Sequence, residues 1–99
     1  MKKFKGKSIL VTGACGTVGV ELVKQLLKSE EYAPKELIGL DNNESELFFL
    51  DQKYINDSRV YFYVADIRDK DDLTNKMRGV DIVFHAAALK HVVLCERSP

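Results

Sequence analysis

Cysteine and proline are scarce in this chain, tryptophan is absent, and neither sign of charge is in excess. The two cysteines, Cys15 and Cys95, lie far apart, and neither belongs to a Cys-x-x-Cys pair. That excludes a disulfide framework and a zinc site built on thiolates, and makes a reducing cytoplasm the simplest compartment. Fifteen basic and fifteen acidic side chains cancel. No field therefore draws the chain to nucleic acid or to an anionic membrane, and neither is expected as a partner. Long apolar runs are missing too. Ile9-Leu10-Val11 is far too short for a signal-peptide core or a membrane span, so the basic stretch Met1–Lys7 is read as a solvated tail. Met1 argues against a membrane helix upstream. There is no internal repeat and no low-complexity stretch. What remains is 99 residues, 45% apolar and 30% charged, the composition of one small globular domain.

The apolar residues fall into short blocks. Ser8-Ile9-Leu10-Val11-Thr12 lacks polar alternation, as a strand buried on both faces does. After it, Val18, Leu22, Val23, Leu26 and Leu27 recur at helical spacing, with Glu21, Lys24, Gln25 and Lys28 on the other face. Pro34 rules out continuation of that helix. Leu37–Leu40 predicts a second strand ending at Asp41. A helix over 46–54 follows, carrying Leu47, Phe48, Leu50 and Tyr54 inward, with Asn43 or Ser45 as its cap. Val60–Val64 is a strand by propensity. Asp69 caps a short helix through Lys76, with Leu73 and Met77 on one face and Gly79 at its end. Ile82–Phe84 predicts a fourth strand running into His85, and the tail from Leu89 begins a further element, read as a helix. Strands alternating with helices predict an α/β fold: a Rossmann-type parallel sheet with flanking helices, truncated after about four strands.

Gly13, Gly16 and Gly19 sit between the first strand and the first helix. A lone Gly-x-x-Gly-x-x-Gly is a weak signal; its weight comes from following a strand, opening a helix and being answered by an acid at the end of the next strand. Gly13 permits the tight turn, Gly16 lets backbone approach a pyrophosphate, and Gly19 lets the helix pack close to the sheet. Thr17 and Val18 would offer backbone N–H groups to that anion. No Lys-Ser or Lys-Thr follows the glycines, which excludes a P-loop. Cys15 lies inside the turn and is read as a tolerated small residue; the competing reading is a reactive thiol activated by the helix N-terminus.

A carboxylate at Asp41 accepts hydrogen bonds from adenosine ribose hydroxyls and repels a 2′-phosphate. Asn42, Asn43 and Glu44 follow where an NADP site places an arginine, so NAD is the expected cofactor. Asp66 closes the third strand and either reaches the adenine or makes a local turn before Arg68. His85 is read as structural in preference to a catalytic base, because no nucleophile or ligand set accompanies it. Lys90 either meets a substrate phosphate or lies on the surface with His91.

Thr12-Gly13-x-x-Gly16-x-x-Gly19, Asp41, Asp66-Ile67-Arg68 and His85-Ala86-Ala87-Ala88 together resemble the extended short-chain dehydrogenase/reductase family. The stretches Leu40–Leu47 and His85–Val92 resemble its polysaccharide-biosynthesis branch, which contains the UDP-N-acetylglucosamine 4,6-dehydratases. Val93 stands where that branch usually has proline, and Glu96-Arg97-Ser98-Pro99 replaces its Glu-x-Asn-Pro. The resemblance implies a nucleotide-sugar substrate, a homo-oligomer and loss of water across C5 and C6 of a sugar transiently oxidised at C4. It places Gly13, Gly16, Thr17 and Val18 at the pyrophosphate, and Asp41 and Asn42 at the ribose. It also places Asp66 and Ile67 at the adenine, Ala86, Ala87 and Ala88 at the nicotinamide side, and Lys90 near the sugar nucleotide. The family's catalytic Tyr-x-x-x-Lys pair is absent: no tyrosine here has a lysine four positions on. The chain is accordingly expected to be an inactive fragment of one NAD-binding domain over 1–99, without the catalytic and substrate parts. An epimerase or reductase on nucleotide sugars, and a non-catalytic NAD-binding module, are the alternatives. With nothing beyond it, the fourth strand is expected to expose an apolar edge that drives self-association.

Overall fold

A computed structural model describes residues 5–66 and 68–86 in full and residues 93–96 as backbone. The elements in chain order are β1 (Ser8–Thr12), α1 (Thr17–Lys28), β2 (Glu36–Asp41), α2 (Glu44–Lys53), β3 (Val60–Val64), α3 (Lys70–Lys76), β4 (Ile82–His85) and β5 (Val93–Glu96). They form one sheet in the order β3-β2-β1-β4-β5. The first four of these strands pair in parallel, with Thr12 level with both Leu40 and His85. This is the expected Rossmann-type arrangement.

β1 is apolar throughout because each of its faces meets a core. Ile9 and Val11 join Val23 and Leu26 of α1 and Leu50 of α2 on one side. Leu10 joins Leu40 and Val83 on the other, where Leu73 of α3 and Met77 pack. Helices therefore cover both faces of the sheet, which is why strict polar alternation is missing from its central strand.

The helix caps are side-chain caps where the local sequence supplies them. Asn43 Oδ1 accepts from Glu46 N at 3.1 Å to start α2, and Asp69 Oδ1 accepts from Asp72 N at 3.1 Å to start α3. Two expectations are corrected here. α2 starts at Glu44, and Phe48 faces outward, 60% exposed, with its ring edge-on to Phe49 at 5.8 Å. Leu47 and Leu50, three apart, take the inward stripe and leave Phe48 off it.

The tail is a further correction. Residues 93–96 form a strand, not a helix, and pair antiparallel to β4 with Ile82 opposite Glu96 and His85 opposite Val93. The β4 edge is therefore covered, and the outer edge on this side of the sheet passes to β5. Val93-Leu94-Cys95 has the apolar, β-branched character that fits a strand, and pairing supplies partners to β4 backbone groups that an edge would leave open.

Candidate functional site

The carboxyl ends of β2, β1 and β4 meet at the point where the chain order in the sheet reverses, between β1 and β4. In open α/β sheets this is where ligands bind. The ladder runs on past the strand ends: Ala14 N donates to Leu40 O at 3.0 Å, Ala86 N to Thr12 O at 3.0 Å, and Ala65 N to Asp41 O at 2.9 Å. These bonds hold the glycine turn and the segments after β3 and β4 in fixed relation.

The turn at 13–16 reverses direction through Gly13, whose φ of +71° is left-handed. Gly16 N then donates to Gly13 O at 3.1 Å. α1 is laid tightly against this turn. A Cβ at Gly19 would stand 2.0 Å from Gly13 O and 2.9 Å from Ala14 Cα, so only glycine fits. Gly16 is different. A Cβ there would meet only Gly13 O, at an ordinary 3.5 Å, and its φ of −74° suits any residue. The folded chain itself makes no demand for glycine at this position.

Gly16 is also the N-cap of α1, and it supplies no side-chain acceptor. No acidic residue stands in the first turn. Among the described residues, no acceptor meets the N–H groups of Thr17, Val18 and Gly19. The positive end of a twelve-residue helix dipole therefore opens onto the crevice uncompensated.

Asp41 ends β2 beside this turn. Its Oδ2 accepts from Cys15 N at 3.0 Å and its Oδ1 from Asn43 N at 2.9 Å. The carboxylate so ties the glycine turn to the start of α2, with Asn42 exposed next to it. Cys15 sits half-buried between them. Burial first, then the negative charges of Asp41 and Glu46, push its thiol up to about 11. A thiol raised by burial and two carboxylates fits the tolerated small residue and speaks against the competing reactive-thiol reading.

Asp66 follows β3 and is occupied locally. Its carboxylate accepts from Arg68 N at 2.9 Å and from the Arg68 guanidinium at 2.8 Å. That guanidinium holds the exposed carboxyl down at about 2. His85 Nδ1 lies 3.1 Å from the hydroxyl of the buried Thr12 across the β1–β4 register. This pairing makes His85 part of the crevice floor; sequence alone could not find it, since Thr12 reads as an ordinary strand residue. Ala86 is buried beside it. Ile67, Ala87, Ala88 and Lys90 lie outside the described residues.

Among the described residues, α2 is flanked by two hollows. A cleft of about 170 Å³ beside the glycine turn is lined by Cys15, Val20, Glu46, Phe49, Leu50 and Lys53. A larger one of about 470 Å³ lies at the opposite, amino end of β3, around Tyr54, Asp57 and Arg59. Its chief polar group is already engaged, because Arg59 Nη2 pairs with Asp57 at 2.7 Å and donates to Leu27 O at 3.0 Å. Size alone would favour that hollow; the open N–H groups favour the carboxyl-end crevice. No cluster of three or more potential metal-ligating side chains occurs among the described residues.

The polysaccharide biosynthesis protein family model matches residues 9–99. Over 96 residues the chain is 49% identical to an uncharacterized membrane protein of Methanocaldococcus jannaschii. It is 40% identical to a UDP-N-acetylglucosamine 4,6-dehydratase (inverting) of Campylobacter jejuni. To a UDP-glucose 4-epimerase of Rickettsia bellii the identity is 35%. Each alignment takes in 97% of this chain but 28% of the relative, so the chain spans little more than a quarter of their length. Among the described residues, no helix is long and apolar enough to cross a membrane. Among solved structures, Pen from Bacillus thuringiensis superposes with a TM-score of 0.79 at 31% identity, over 89% of this chain and 26% of that one. The chain belongs to the polysaccharide biosynthesis protein family, a branch of the extended short-chain dehydrogenase/reductases, and resembles the N-terminal part of its UDP-N-acetylglucosamine 4,6-dehydratases.

Proposed function

We propose that the carboxyl-end crevice binds NAD and that the chain is the NAD-binding portion of a nucleotide-sugar 4,6-dehydratase. The observation that carries the first part is the bare N-terminus of α1. Among the described residues its three first-turn N–H groups meet no acceptor, and its cap is a glycine that the fold does not require. A pyrophosphate satisfies those donors and needs the missing Cβ. In this reading Gly13, Gly16, Thr17 and Val18 hold the pyrophosphate, while Gly19 keeps the helix close enough for them to do so. Asp41 and Asn42 take the adenosine ribose, a role supported by the place of Asp41 beside the turn. Asp66 and Ile67 flank the adenine, Ala86, Ala87 and Ala88 leave room for the nicotinamide, and Lys90 approaches the sugar nucleotide. Bound there, the dinucleotide would supply a hydride acceptor and donor.

The 4,6-dehydratase assignment, with UDP-N-acetylglucosamine as substrate, rests on the Campylobacter relative. Residues 1–99 would then be one part of a Rossmann domain, with the tyrosine-lysine chemistry supplied by sequence outside it. An epimerase is the second reading, favoured by the Rickettsia relative. The test is to incubate the full-length polypeptide with UDP-N-acetylglucosamine and weigh the product. A product lighter by one water, with no net NADH, is expected. Unchanged mass with a new stereoisomer selects the epimerase, and an untouched substrate refutes both for this sugar.

A further inference from the structure

The cleft beside the glycine turn has no role in the reading above. It lies on the side of the turn where Cys15 N–H meets the Asp41 carboxylate, and Glu46 and Lys53 are its charged lining. Glu46 is the third residue of α2, held there by its own backbone bond to the Asn43 cap, so its side chain has no capping duty. Its charge reaches the Cys15 thiol, as does that of Asp41. Lys53 turns its ammonium over the Tyr54 ring at 5.7 Å.

We infer that Glu46 is a second specificity-determining residue, which together with Asp41 excludes a 2′-phosphate from the adenosine ribose. This rests on the NAD-binding reading. If Asp41 holds the ribose, the cleft shared by Cys15 and Glu46 is the space beside the 2′ position. A phosphate entering there meets a second anion at its wall. Asp41 is already engaged by two backbone N–H groups, which hold its carboxylate in place. Glu46 adds charge where Asp41 alone would leave the cleft open, and without its carboxylate the charged lining among the described residues is the cation of Lys53.

The test uses calorimetric titration of the full-length polypeptide with NAD and with NADP at low salt. Three proteins are compared: wild type, Glu46→Gln and Glu44→Gln. Glu44→Gln removes an equal charge from the same helix turn but outside the cleft lining. Removing one charge beside a partly solvated phosphate changes its binding by roughly tenfold. The expected result is a roughly tenfold loss of NAD-over-NADP preference in Glu46→Gln, arising from tighter NADP binding, and none in Glu44→Gln. Should Glu46→Gln fold poorly, Glu46→Ala carries the same expectation. A preference within twofold of wild type in the Glu46 variants, or an equal change in Glu44→Gln, overturns the inference while leaving NAD binding intact. Wild-type protein that binds neither dinucleotide overturns the NAD reading itself.

Discussion

Gly19 and Gly16 look alike in sequence, yet the structure assigns them opposite costs when a methyl group is added. In Gly19→Ala the new Cβ would lie 2.0 Å from Gly13 O and 2.9 Å from Gly13 C and Ala14 Cα. All three are backbone atoms, so no side chain can rotate away. Relief requires α1 to move off the turn by more than about 1 Å, opening the packing of Val23 and Leu26 against β1. Overpacking of this kind costs about 3 kcal/mol, at the upper end of its usual range. For a domain of this size that lowers the melting temperature by on the order of 15 °C. Gly16→Ala adds a methyl group at an ordinary 3.5 Å contact and at an unstrained φ. It should leave stability unchanged or raise it by about 0.5 kcal/mol, through the lower entropy of the unfolded chain. It should nonetheless weaken NAD binding, because the methyl group occupies the approach to the first-turn N–H groups. Urea denaturation of both variants, with NAD titration of Gly16→Ala, reads all three effects. A Gly19→Ala protein within about 1 kcal/mol of wild type would refute the steric reasoning. A Gly16→Ala protein with undiminished affinity would refute the placement of the pyrophosphate.

Cys15, with its thiol raised to about 11, should alkylate slowly at neutral pH in a Cys95→Ser background, the rate climbing tenfold per pH unit well past the ordinary thiol range. A plateau near pH 8 would contradict this. Because the folded state holds that proton longer, this thiol's contribution to stability is full below its ordinary value of 9.0 and is lost as pH rises toward 11. Arg59→Ala removes the donor to Leu27 O and both side-chain donors to Asp57, leaving it the backbone N–H of residue 59, and should cost about 1–2 kcal/mol in denaturation experiments. Arg59→Lys should recover little of this, because an ammonium cannot reproduce the planar fork. In Arg68→Ala the Asp66 carboxyl should titrate near the ordinary carboxylate range in place of about 2, as followed by NMR. Its depressed value means that the pairing persists above the ordinary range and is lost as pH falls toward 2.

The first half of the site was legible because it is local. Strand, glycine turn and helix follow one another in sequence, and each glycine's task depends on neighbours a few positions away. The Asn43 and Asp69 caps were legible for the same reason. Phe48 was not, because Leu47, Phe48, Phe49 and Leu50 form one apolar run in α2 and only the docked sheet decides which two turn inward. The Thr12–His85 pair depends on the β1–β4 register, which joins residues far apart in the chain. The high Cys15 value depends likewise on β1–β2 pairing, which brings Asp41 to the turn. The tail was misread because Val93–Cys95 carries an ambiguous apolar run whose strand form depends on β4 being available as a partner.

The central claim is that a dinucleotide phosphate rests on the first turn of α1. Backbone amide NMR of the chain titrated with NAD tests this most directly. The account predicts that the largest shifts fall on Gly16, Thr17, Val18 and Gly19, with Asp41 and Asn42 next. Shifts confined to Lys53–Arg59, around the larger hollow at the other end of the sheet, or no shifts at all, would contradict it.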